Sequence, residues 1–202
     1  MTRLSVNLNK IALIRNARGS NYPDLIQVAK DCERFGAQGI TVHPRPDERH
    51  CKFSDLQLLK ENCNTEFNIE GFPDRHFLDA IINVKPHQCT LVPDAPGQIT
   101  SDHGWNTIAQ KDFLKEVIAE LKTKDIRVSL FIDADAAMIE GAANIGADRI
   151  EYYTGPYAKN YAANPERAIK EIKETCKIAI AAGLGINAGH DLNLENLKYL
   201  KD

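Results

Sequence analysis

Strand-like runs alternate with amphipathic helical runs from one end of the chain to the other, and within most of the strand-like runs polar residues recur at every second position. Together these two observations predict an α/β chain folded as a closed (β/α) barrel. Parallel strands covered by helices on both faces of an open sheet read as continuous apolar runs. These do not. Ser5, Asn7 and Asn9 alternate with Leu4, Val6 and Leu8; Thr41 and His43 with Ile40 and Val42; Asn68 and Glu70 with Phe67 and Ile69. Ser129 and Asp133 alternate in the same way with Val128, Leu130 and Ile132, and Arg149 and Glu151 with Ile150 and Tyr152. A period of two puts each polar series on one face of its strand. A barrel uses that face as its mouth, with the apolar face outside under the helices. Polar residues end nearly every expected strand (Asn9, His43, Glu70, Asp133, Glu151 and Asn187), whereas a doubly wound sheet, the runner-up, gathers its catalytic groups at one crevice.

In chain order, strands are expected over 4–8, 39–43, 67–70, 88–92, 127–133, 149–153 and 184–187, which makes seven βα units in series. The stretches 24–35, 77–84, 111–122, 134–145 and 165–182 carry apolar residues at spacings of three and four, so they are expected as helices, with a last helix-like stretch over 194–201. Gly36, Gly146 and Gly183 stand just before strands, where a helix ends and the chain must reverse. No linker or low-complexity tract divides the chain, so residues 1–202 are expected to form a single barrel domain. A full barrel takes an eighth strand and typically about 250 residues. The expectation is therefore a TIM (β/α)8-type barrel whose eighth βα unit is absent from these 202 residues.

Composition narrows the partners. The chain is 43% hydrophobic and 26% charged, with a net charge of −3 and both signs interspersed, so no basic face is offered to nucleic acid. No apolar run reaches the length of a membrane span, and Met1-Thr2-Arg3 leads into a strand pattern without a signal-peptide core, which points to a cytoplasmic address. The five cysteines are odd in number and scattered, and read as reduced thiols.

The chemistry is concentrated after the second strand, in His43-Pro44-Arg45-Pro46-Asp47-Glu48-Arg49-His50. Two histidines, two arginines and two acids stiffened by two prolines suit an anion and a moving proton: arginine forks match phosphate oxygens, and histidine titrates nearest neutrality. His43 and Glu70 close consecutive strands and so form a candidate proton-transfer pair. His190 follows the last strand. A lone strand-end histidine is more often a satisfied polar residue, but three such groups on one rim favour catalysis; His76, His87 and His103 lack that placement and read as surface or structural. Lys10, Arg15 and Arg18 follow the first strand as a second basic patch, although Arg15, in the periodic context Ile11-Ala12-Leu13-Ile14, also fits a solvated helix face. Metal binding, Ser/His/Asp chemistry and nucleotide cofactors find no motif: there is no H-x-H, H-E-x-x-H, G-x-S-x-G, G-x-G-x-x-G or P-loop.

Ordered motifs run along the whole chain: Val6-Asn7-Leu8-Asn9-Lys10-Ile11-Ala12, Arg15-Asn16-Ala17-Arg18-Gly19, Gly39-Ile40-Thr41-Val42-His43, Asn68-Ile69-Glu70, Leu91-Val92-Pro93, Val128-Ser129-Leu130-Phe131-Ile132-Asp133-Ala134-Asp135, Glu151-Tyr152-Tyr153-Thr154-Gly155 and Asn187-Ala188-Gly189-His190. In these motifs the chain resembles the pyridoxine 5′-phosphate synthase family of deoxyxylulose-dependent vitamin B6 biosynthesis. The resemblance implies a TIM barrel, assembled as a homo-octamer, that condenses 3-amino-2-oxopropyl phosphate with 1-deoxy-D-xylulose 5-phosphate into pyridoxine 5′-phosphate, phosphate and water, without cofactor or metal. It implies proton acceptors at His43 and Glu70, a proton donor at His190 and transition-state stabilisation by Glu151. It further implies substrate contacts at Asn7 and Arg18 for the aminoketone phosphate, at Asn9, Lys10, Arg45, His50 and Thr100 for deoxyxylulose phosphate, and at Asp191. Two departures stand out. Asn9-Lys10 occupies the place where many members have Asp-His, and the family's last Gly-His phosphate contact, on the eighth strand, is not among these residues. Another phosphate-sugar barrel enzyme, such as an epimerase or a thiamine phosphate synthase, and a truncated inactive barrel are the alternatives.

Overall fold

The computed structural model describes residues 2–94, 97–98 and 100–202. They pack as two compact units: one holds the chain up to Thr90 with Asp94–Gln98 and Lys124–Ile126, the other Leu91–Pro93, the segment ending at Thr123, and Arg127–Asp202.

In the first unit β1 (Ser5–Asn7), β2 (Gly39–Val42), β3 (Glu66–Gly71) and β4 (Gln88–Leu91) lie side by side in chain order. β1 and β2, and β2 and β3, pair in parallel, with Val6 opposite Ile40 and Thr41 opposite Asn68. Order along the chain is what a (β/α) barrel uses, and a doubly wound sheet would place β1 inside its neighbours. The helices are α1 (Asn9–Asn16), α2 (Leu25–Arg34), α3 (Phe53–Asn62) and α4 (Arg75–Val84). Asp24 caps α2 by accepting from the N–H groups of Ile26 and Gln27, and Asp74 caps α4 by accepting from that of Phe77. Ile40, Val42, Leu56, Leu59, Phe67, Ile69 and Ile81 are wholly buried between strands and helices.

The second unit has β5 (Arg127–Ile132), β6 (Arg149–Tyr153) and β7 (Gly185–Gly189), again parallel and in chain order, with Glu151 between Phe131 and Asn187 in register. Its helices are α5 (Lys111–Lys122), α6 (Ala136–Asn144), α7 (Gly155–Tyr161), α8 (Pro165–Ala181) and α9 (Leu197–Lys201). Asp135 and Asn164 cap α6 and α8, and the turn into β7 uses Gly183 at φ 77°, where a side chain would be strained. Leu121, Val128, Leu130, Ile132, Ile139, Ile150 and Tyr152 form its core. Among the described residues no helix is long and apolar enough to cross a membrane.

The period-two polar residues bond sideways from strand to strand. Ser5 Oγ and Thr41 Oγ1 are 2.7 Å apart, Asn68 Nδ2 donates to Thr41 Oγ1, and Gln88 Nε2 and Thr90 Oγ1 each donate to Asn68 Oδ1. In the second unit Arg149 donates to Asn187 Oδ1 and Asn187 Nδ2 to Ser129 Oγ. Buried polar groups must find such partners, which is why each face of alternating residues stays polar over several strands.

Three expectations need correction. β1 stops at Asn7, because the carbonyl of Leu8 already accepts from the N–H of Ala12 one helical turn on and α1 starts at Asn9; Lys10 and Arg15 therefore stand on a helix, not on a loop. Glu151 and Asn187 lie at the middle of β6 and β7, and Glu70 is one residue short of the end of β3, so these polar residues do not all end strands. Helices α3 and α7, the one weakly amphipathic and the other short, carry no periodicity that marks them.

Candidate active site

His43 follows β2 directly and is 5% exposed. Its backbone N–H donates to Asn9 Oδ1 at 2.8 Å, and the N–H of Asn9 donates in turn to Asn7 Oδ1 at 2.8 Å. Two residues expected to touch substrate thus hold the end of β1 against the end of β2. Glu70 Oε2 lies 3.8 Å from His43 Nδ1, too far for a hydrogen bond yet near enough for one to form on a small side-chain rotation. Burial first, then the positive charges of Arg45, His50 and Arg49, lower the pKa of His43 from 6.5 to about 3. Although a histidine beside a carboxylate invites reading as an ion pair, desolvation is the larger influence and His43 is neutral at pH 7. A neutral imidazole can take a proton.

Arg45 is buried and already engaged. It meets Asp94 Oδ2 at 2.9 Å and donates to the carbonyl of Gln98 at 3.1 Å. Arg49 donates to the same carbonyl at 2.9 Å and pairs with Asp47. His50, half-buried, has its pKa lowered by burial and by Arg49 and Arg45, and its Nδ1 is buried without a hydrogen-bond partner among the described residues. Lys10 and Arg18 are exposed cations of the same unit. Arg15, by contrast, is buried in an ion pair with Asp55 at 2.8 Å, so it joins neither the solvated surface nor a phosphate patch.

In the second unit Glu151 is buried near β7. A Cβ added at Gly189 would stand 2.5 Å from Glu151 Oε1, so only glycine leaves the carboxylate its place. His190 and Asp191 both have positive φ, 92° and 57°, a conformation that non-glycine residues adopt only when their surroundings impose it. Thr154 imposes it here: its Oγ1 lies within hydrogen-bond reach of the carbonyls of Gly189 and His190, and its N–H donates to that of Gly189. Both ring nitrogens of His190 are occupied, Nδ1 by Asp191 Oδ2 at 2.9 Å and Nε2 by Thr100 Oγ1 at 2.9 Å, and the Tyr153 ring meets the imidazole edge-on at 5.2 Å. Thr100 and Asp191, expected as substrate contacts, are therefore the partners of His190 in this structure.

Asp94, Tyr153 and Thr154 escaped singling out. Tyr153 and Thr154 belong to a motif already picked out, but a buried carboxylate one residue beyond Leu91-Val92-Pro93 carries no local signal. His87 Nδ1 accepts from the N–H of Phe67, His76 packs on Phe53, and His103 pairs with Asp102 on the surface, in keeping with structural or surface roles. Among the described residues no cluster of three His, Cys, Asp or Glu side chains is arranged to hold a metal ion.

Residues 4–202 match the family model described as pyridoxal phosphate biosynthesis protein PdxJ. A pyridoxine 5′-phosphate synthase of Cytophaga hutchinsonii is 60% identical over 201 residues, covering 100% of this chain and 84% of that protein. The enzyme of the same name from Phocaeicola vulgatus is 56% identical over 200 residues, covering 99% and 84%. Among solved structures, a mandelate oxidase variant superposes with a TM-score of 0.61 at 11% identity, covering 91% of this chain and 61% of that one. At that identity the likeness carries the fold alone, an α/β arrangement of TIM type.

Proposed function

The chain belongs to the PdxJ family of pyridoxal phosphate biosynthesis proteins, and from that premise we propose that it condenses 3-amino-2-oxopropyl phosphate with 1-deoxy-D-xylulose 5-phosphate, giving pyridoxine 5′-phosphate, phosphate and water. The activity is that of an enzyme of vitamin B6 biosynthesis, acting on small phosphorylated substrates. An amine and a ketone must form an imine, lose water and phosphate, and close a ring, so protons are moved several times.

One observation supports the residue roles best: His43, buried and neutral, stands 3.8 Å from Glu70 at the head of a loop that carries Arg45, Arg49 and His50. A neutral imidazole and a carboxylate are two acceptors, and the cations beside them favour bound phosphate. His43 and Glu70 take protons; His190, with both ring nitrogens already in hydrogen bonds, gives one; Glu151 stabilises the positive charge that builds up as the imine forms. Arg18 and Asn7 hold the aminoketone phosphate. Lys10, Arg45, His50 and Thr100 hold deoxyxylulose phosphate, and Asn9, its Oδ1 spent on His43, offers its Nδ2. Asp191, hydrogen-bonded to His190, is a further substrate contact. The working assembly is a homo-octamer and the compartment the cytoplasm, to be checked by analytical ultracentrifugation and by fractionation.

The test is direct. The purified protein, given both phosphates, should release inorganic phosphate and form pyridoxine 5′-phosphate in equal amounts, followed by the absorbance of the pyridine product. Binding of both substrates without product would overturn the assignment.

A further inference from the structure

Arg49 and His50 sit on a turn that is anchored by a residue given no role so far. Asn16, the last residue of α1, points its side-chain amide at three successive carbonyls: that of Glu48 at 3.2 Å, that of Arg49 at 3.1 Å and that of His50 at 2.7 Å. A primary amide has two hydrogens, so the short bond to His50 takes one and the other is shared between Glu48 and Arg49. Gathering three carbonyls about one point bends the chain sharply, and Glu48 answers with φ 50°.

Asn16 is itself held. Its Oδ1 accepts from Arg15 Nε at 3.1 Å, and the two terminal nitrogens of Arg15 meet the two oxygens of Asp55 at 2.8 Å each. Asp55 Oδ2 also accepts from the N–H of Lys52 at 2.8 Å, where α3 begins. The arginine and aspartate side chains are only 7% and 15% exposed, and a two-pronged pair of that kind is rigid as well as strong. The end of α1, the turn at 48–50 and the start of α3 are thus tied into one network. What it fixes is the backbone beneath His50, whose Nδ1 is left buried without a partner among the described residues. A buried nitrogen in that state makes its hydrogen bond with a bound water or with a substrate oxygen that replaces it.

We propose that Asn16 is a positioning residue for the deoxyxylulose phosphate site, acting through the backbone of Glu48, Arg49 and His50. The inference rests on the function proposed above. Small displacements of a binding group weaken a site steeply, and loss of the Asn16 amide releases three carbonyls together. Arg18, two residues further on, lies outside the network and serves the other phosphate, so the two substrates should respond differently.

Calorimetric titration of each substrate into the unaltered protein, Asn16→Ala and Asn16→Ser tests this, with amide hydrogen exchange of residues 48–51 recorded alongside. The expected result is a Kd for deoxyxylulose phosphate raised roughly tenfold, the scale of one or two lost hydrogen bonds. The Kd for the aminoketone phosphate should stay within about twofold, and exchange should quicken at 48–51 but not in β2 or β3. Equal losses for both substrates, or a lowered thermal midpoint with unchanged affinities, would reduce Asn16 to a purely structural role and overturn the proposal. If Asn16→Ala does not fold, Asn16→Ser, which keeps one short donor, decides. An unaltered protein that binds neither substrate would defeat the functional assignment, and this proposal with it.

Discussion

His43 and His190 are the same side chain placed after a parallel strand, yet the fold treats them in opposite ways. His43 is almost wholly buried, its ring 3.8 Å from the carboxylate of Glu70 and surrounded by the charges of Arg45, Arg49 and His50, and its pKa is pressed down to about 3. His190 is more open to solvent, at positive φ, with a carboxylate on one ring nitrogen and a hydroxyl on the other. The first is kept neutral by the loss of water, and the second is held in place by its hydrogen-bond partners. Desolvation acts on a group from all sides, whereas an exposed partner competes with water at every moment. Changes around His43 should accordingly be costly, and changes to the exposed partners of His190 cheap.

The largest effect is expected from His43→Ala and Glu70→Gln. Each should lower kcat by about 10²–10⁴-fold and leave KM within roughly threefold, since general acid or base groups act in the transition state. Steady-state kinetics on both substrates checks this. Turnover within threefold of the unaltered enzyme would leave the pair a matter of packing.

Arg45→Ala against Arg18→Ala sharpens the contrast between buried and exposed. Either loss should weaken its own phosphate by roughly 1.5–3 kcal/mol, deoxyxylulose phosphate for Arg45 and the aminoketone phosphate for Arg18. Only Arg45→Ala should also destabilise the fold, by about 3–5 kcal/mol, because it takes the opposing charge of the pair away from the carboxylate of Asp94, 5% exposed at its side chain. Urea denaturation separates the two: equal midpoints would mean that the Arg45–Asp94 pair is not a buried ion pair in solution.

Acid provides a third probe. His43 has a folded-state pKa below its ordinary 6.5, so as pH falls the unfolded chain takes the proton first. The stabilisation from its neutral form is complete above pH 6.5 and drains away between there and about 3. Between pH 6.5 and 4.5 this alone should remove about 2–3 kcal/mol, and His43→Gln should lose that much less than the unaltered protein over the same interval. Parallel pH profiles for the two proteins would show that His43 is not desolvated.

The smallest effect belongs to Asp191→Asn. The carboxylate is 62% exposed, and exposed pairs contribute about 0.2–1 kcal/mol, so kcat/KM should fall less than about fivefold. A loss of a hundredfold or more would make the charge of Asp191 essential to catalysis and erase the distinction between the two histidines.

The alternation of periods two and 3.6 is a local property, and it was enough to place β6 and α5 at their observed limits and the other strands within two residues. It also brought His43 and Glu70 together, because consecutive parallel strands are neighbours and a period of two aims their side chains alike. The start of α1 directly after β1 was not legible, since Leu8 serves both elements, its N–H bonded to Thr41 of β2 and its carbonyl to the N–H of Ala12. Nor were the partners. Arg15 finds Asp55 forty residues away, Arg45 finds Asp94, and Thr100 finds His190 across ninety, pairings that depend on which ends of which strands the packed chain places together. The neutral state of His43 belongs to the same class: a residue type carries a reference pKa, but the shift comes from the water excluded and the charges assembled around it, and only the tertiary structure decides those.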